Sequence, residues 1–146
     1  MRTAKDFENI SQRIKALSAS SKGLWGKMSV AQMLAHCQRP FRAALSEDKT
    51  KRGLLSYLFG SMTKRNFLNS ETFRKNLPTA PGFKITHQPD FEEERNKLLA
   101  DFEHFLSIDT DILATKVHPF FGPMNESEWY ELMYKHLDHH LKQFGV

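Results

Sequence analysis

Apolar residues recur at helical spacing in four separate stretches of this 146-residue chain, and that rhythm constrains its fold more than any other feature. In the first, Phe7, Ile10, Ile14 and Leu17 step by three, four and three, which lays them along one stripe of a helix over residues 4–18. "SASSKGLWGK" then breaks the period. The second stretch starts at Ser29, three residues ahead of Gln32 in a capping-box relation, and carries Val30, Met33, Leu34, Cys37, Phe41, Ala44 and Leu45. A third opens with Asp90 and Glu93 in the same relation and continues through Phe91, Leu98, Phe102, Phe105 and Leu106. The fourth begins near Asn125, with Glu128 three residues on, and carries Trp129, Leu132, Met133, Leu137, Leu141 and Phe144.

Residues 46–89 lie between the second and third stretches. There "GLLSYLFGSM" suits a short helix, "NLPTAPGFKITHQPD" is punctuated by proline and glycine, and "FKIT" is the one weak strand candidate. Four amphipathic helices bury their stripes most simply against one another. The expectation is an all-α fold: a four-helix bundle with one long crossover between helices 2 and 3. With 40% hydrophobic content and twelve phenylalanines, residues 1–146 can enclose one core as a single domain.

No stretch approaches the roughly 20 apolar residues of a membrane span, and the N-terminal residues mix charged and apolar side chains. The single cysteine, Cys37, excludes an intramolecular disulfide and reads as a small buried hydrophobe. A cytoplasmic protein with no membrane partner is the expectation. The formal charge is +4, and much of the excess falls in residues 49–75, where Lys49, Lys51, Arg52, Lys64, Arg65, Arg74 and Lys75 recur among apolar residues. No nucleic-acid-binding signature accompanies it, so the partner expected is a small molecule rather than nucleic acid.

The closing segment "YKHLDHHLKQFGV" places three histidines within five positions. On a helix, His136 and His140 sit roughly 40° apart, on the side of Trp129, Leu132 and Met133. His139 falls at the margin of that stripe and Asp138 nearly opposite. Two imidazoles four residues apart can serve one cation, and His36, bordering the apolar arc of the second helix, can supply a third ligand. Pro40 cannot donate to the His36 carbonyl, so the helix is expected to bend there or admit a water. Three imidazoles leave positions open for water or substrate, as catalytic sites do. Equally, such histidines can pack or interact with the helix terminus without a metal.

"WGKMSVAQMLAHC" and "HPFFGPMNESEWYELMYKHLDHHLKQFG" resemble the DinB-like superfamily, also called the YfiT-like metal-dependent hydrolases, and an uncharacterised branch of it in particular. The resemblance covers the chain's whole layout, down to the closing H-x-x-x-H-x-x-Q of His136, His140 and Gln143. It implies a four-helix bundle, a homodimer, and a divalent metal such as zinc, nickel, iron or manganese on His36, His136 and His140. It also implies a metal-dependent enzyme, either a transferase using a low-molecular-weight thiol or a hydrolase. The alternative is a non-catalytic small-molecule-binding or dimerisation module with a structural or vestigial triad.

Smaller expectations attach to six residues. His118, before a proline in the loop leading to the last helix, is a candidate proton carrier, although "HPFFGPMN" also has the makings of a turn. Gln143, one turn beyond His140, can support the site by a hydrogen bond. Arg52 and Arg65 are candidates for holding an acidic substrate or thiol. Trp25 and Trp129 are expected to be packing anchors.

Overall fold

A computed structural model describes residues 2–45, 52–70, 73–77 and 84–146. The elements run α1 (Ala4–Ala16), α2 (Val30–Leu45), α3 (Leu54–Asn69), α4 (Phe91–Ser107), α5 (Thr110–Thr115), β1 (Val117–His118), β2 (Gly122–Pro123) and α6 (Glu126–Gln143). The protein is therefore mostly helical, with six helices and one two-stranded sheet among the described residues. No described helix is long and apolar enough to cross a membrane.

The helix starts follow their caps. Ser29 Oγ accepts from the Gln32 amide at 3.2 Å while Gln32 Oε1 accepts from the Ser29 amide at 3.0 Å, closing the box that starts α2. Asn125 and Glu128 do the same for α6 at 2.9 Å in both directions. Asp90 caps α4 through the Glu93 amide, with half of the expected exchange. A further box, Thr3 with Asp6, starts α1. That helix ends at Ala16 rather than residue 18, because Ser18 and Ser21 bond each other's backbone in a turn.

The stripes meet as their spacing predicts. Ile10 and Ile14 of α1, Leu34 and Phe41 of α2, Leu98, Phe102 and Phe105 of α4, and Trp129, Met133 and Leu137 of α6 form one buried cluster. At roughly 1.5–3 kcal/mol for each large apolar side chain removed from water, this cluster sets how α2 and α6 face each other. α2 continues through Pro40 without a break.

The crossover departs from expectation. Its helix is 16 residues long and faces the opposite way from the usual amphipathic arrangement. Small residues Ser56 and Gly60 are buried, while Leu54, Leu55, Tyr57, Leu58, Phe59 and Met62 are exposed. Ser56 Oγ donates to the Phe120 carbonyl at 2.6 Å, and a methyl on Gly60 would overlap that same oxygen, so close backbone approach selects the small face. Residues 84–86 form no strand, and Phe83 lies outside the described residues. The strands instead occur in "VHPFFGP", where Val117 pairs Pro123 and His118 pairs Gly122, a two-residue ladder too short to show alternation. Between α4 and this hairpin stands α5, capped by Asp109 and also absent from the four-helix expectation.

Candidate metal centre

His36 from the middle of α2 and His136 and His140 from the last turns of α6 converge as the helical count predicts. Each offers one ring nitrogen, and these nitrogens all lie within 4.8 Å of one another. His36 and His140 are buried and His136 is half-buried. The ring centroids stand 5.0 Å apart for His36 and His136, and 4.8 Å apart for each of the other two pairs. His36 Nε2 and His136 Nε2 are 3.1 Å apart. Either one nitrogen donates a proton to the other, or a cation takes both lone pairs. Tetrahedral zinc with ordinary Zn–N bonds spaces its ligand nitrogens about 3.3 Å apart, so the pair has the right separation.

Gln143 fixes the third imidazole. Its Nε2 donates to the Trp25 carbonyl at 2.8 Å, which turns Oε1 toward His140 Nδ1, also at 2.8 Å. That oxygen can only accept, so Nδ1 carries the proton and Nε2 is left with its lone pair free to ligate. The Gln143 amide reaches the Trp25 carbonyl because the chain turns at Gly26 with φ +78°. A Cβ on Gly26 would stand 2.5 Å from Gln143 Nε2.

Burial keeps His136 and His140 uncharged. It holds His140 down to about 3, with the His36 charge adding to the effect. Burial, followed by His140 and His36, holds His136 well below the usual imidazole range. Neutral imidazole is the ligating form, so neither ring must lose a proton at neutral pH to receive a metal. The group could hold a metal ion, and among the described residues it contains no carboxylate.

The remaining candidates lie apart from this cluster. His118 is buried, but its Nδ1 accepts from the Phe120 amide at 3.2 Å and the Phe121 amide at 3.0 Å, closing the hairpin turn. Its ring stacks on Phe121, and burial lowers it to about 4. Arg52 donates to Ser56 Oγ at 2.9 Å and to the Ser56 carbonyl at 3.0 Å, and its guanidinium lies over Tyr57 and against Gly122. It braces α3 onto the hairpin. Arg65 is exposed on α3, and Lys49 and Lys51 lie outside the described residues. Cys37 is fully buried with its thiol 3.6 Å from the Met33 sulfur, and burial pushes the thiol up, so it stays protonated. Trp129 is the expected packing anchor; Trp25, half-buried, instead walls a surface pocket.

Three positions were given no individual site role in the sequence reading. His139 sits with its ring 5.8 Å from Trp25, 5.5 Å from Phe73 and 5.1 Å from His140. Lys75 lies over the Trp25 ring, and Gly26 shapes the support of His140. The glycine following Trp25 was the visible signal; its partner 117 residues later was not.

Residues 3–145 match the family described as "Protein of unknown function (DUF1569)". The chain belongs to this family. Its matched span contains all three histidines and Gln143, so the whole candidate centre lies within the DUF1569 region. No curated protein and no solved structure matches the chain.

Proposed function

We propose that His36, His136 and His140 bind one divalent metal ion, zinc, nickel, iron or manganese, and that the protein is a metal-dependent enzyme acting on a small molecule. The observation that carries this is the 3.1 Å approach of the His36 and His136 Nε2 atoms beside a His140 whose tautomer Gln143 sets. A cation held by three imidazoles supplies Lewis acidity, lowering the pKa of a water or thiol at an open position. Three neutral ligands leave the cation's charge uncompensated, which favours an anionic fourth ligand. That preference suits a low-molecular-weight thiol as co-substrate, or hydroxide in a hydrolase.

The same reading places the protein in the DinB-like superfamily, with α1, α2, α4 and α6 as the bundle and α3 in its crossover. Its support is the motif resemblance together with ligands drawn from the second and last of those four helices. Self-association is part of the proposal: the exposed Leu54, Leu55, Leu58, Phe59 and Met62 suit a homodimer contact through α3. His118 as a proton carrier would act through Nε2, since its Nδ1 is committed to the turn. Of the two arginines proposed for substrate, Arg65 has the exposed position, whereas the bonds of Arg52 are internal.

The test is turnover by metal-loaded protein on electrophilic and ester substrates, with and without added thiol. Turnover that requires thiol identifies a transferase, and turnover without it a hydrolase. A metal-loaded protein inert in both would favour a non-catalytic binding or dimerisation module.

A further inference from the structure

A pocket of about 360 Å³ opens on the outer side of α6, walled by Trp25, Phe73, Tyr134 and His139. Four cations line it, Arg2, Lys75, Lys135 and Lys142, against one carboxylate, Asp138. That carboxylate is already held by Arg13 at 2.8 Å and Lys142 at 2.7 Å. Just behind, Glu131 is shared by Arg2 at 2.8 Å and Lys135 at 3.3 Å. Counting Arg13 and Glu131 with the lining, five cations face two carboxylates, and among the described residues Lys75, 4.5 Å above the Trp25 ring, forms no salt bridge. The excess positive charge therefore borders flat aromatic walls.

We propose that this pocket binds a small anion carried on an aromatic ring, an aryl carboxylate or aryl phosphate. The ring lies among Trp25, Phe73 and His139, and the charge meets Lys75 and Lys142. The size falls in the usual range for a small-ligand site, and the charge of the lining is predominantly positive. His139 belongs to both neighbourhoods, with its ring facing Trp25 and Phe73 on one side and His140 on the other. The inference rests on the pocket and stands whether or not the triad holds metal.

Tryptophan fluorescence reads the site, because Trp25 is in the wall and Trp129 is fully buried elsewhere. The probes are phenyl phosphate, benzoate, inorganic phosphate and benzyl alcohol. Saturable change is expected with phenyl phosphate and benzoate, weaker change with inorganic phosphate, and none with benzyl alcohol. Lys75→Gln and Lys142→Gln should each raise Kd about tenfold, as expected for loss of a charged hydrogen-bond partner. Trp25→Phe should abolish the signal, and a metal chelator should leave binding by the wild-type protein unchanged, which separates this pocket from the metal reading. Absence of saturation with both aryl anions would overturn the proposal. So would affinities unchanged in both lysine variants, or a signal that survives Trp25→Phe.

Discussion

Gly26→Ala should damage the metal centre without touching a ligand, and Gly145→Ala provides its control. Both glycines adopt φ +78°, and an L side chain in that region costs about 1–2 kcal/mol. At Gly145 nothing else is added, because the nearest atom to a new Cβ is Leu24 Cδ1 at 4.0 Å. At Gly26 the Cβ would lie 2.5 Å from Gln143 Nε2, the end of a flexible side chain, which must swing away. Leaving, it gives up the bond to the Trp25 carbonyl and the one to His140 Nδ1, about 1 kcal/mol or more. Urea unfolding should therefore show a loss of about 1–2 kcal/mol for Gly145→Ala and about 2–4 kcal/mol for Gly26→Ala. Metal affinity, measured by competition with a chromophoric chelator, should fall about 10- to 100-fold in Gly26→Ala and stay level in Gly145→Ala, because the support behind His140 is lost in one and kept in the other. Equal stabilities with unchanged affinity in both would refute the role assigned to Gln143.

Acid should weaken the metal-free fold earlier than carboxylate titration alone would. Burial lowers His118 to about 4 and His140 to about 3 from an ordinary 6.5, so below pH 6.5 the unfolded chain takes up protons that the folded one refuses. Stability then falls with decreasing pH by about 1.4 kcal/mol per unit for each ring until its folded pKa is reached, and a urea midpoint constant from pH 7.5 to 5 would contradict this. Gly60→Ala pushes a methyl into the Phe120 carbonyl and should cost about 1–3 kcal/mol while loosening α3 from the hairpin, read as faster amide exchange in residues 54–69. Leu58→Asp, on the exposed face of α3, should convert a dimer to a monomer in sedimentation experiments with little change in helix content; identical mass for both proteins would remove α3 as the contact.

The parts of this fold that could be read from the sequence are those where one local rule and one global need coincide. Ser29 with Gln32 and Asn125 with Glu128 mark helix starts, and the stripes that follow are the ones buried. His136 and His140 were legible for the same reason, since a four-residue step on a helix whose apolar side is known fixes where both rings point. α3 was read as a helix, though a short one; which face it buries was not legible, since only the position of the Phe120 carbonyl explains why Ser56 and Gly60 turn inward. The hairpin at His118 was hidden by its length of two residues per strand. The pocket joins Arg2, Trp25, Lys75 and Lys142, whose proximity comes entirely from tertiary packing and leaves no periodic trace.

The most direct test of the central claim is the metal content of protein purified without a histidine tag or chelator, beside a His136→Ala, His140→Ala double variant. About one equivalent of divalent metal per chain in the wild type, absent from the variant, is the result expected from three converging ligands. No metal in either protein, after reconstitution with zinc, nickel, iron and manganese in turn, would contradict it and leave the triad as packed histidines.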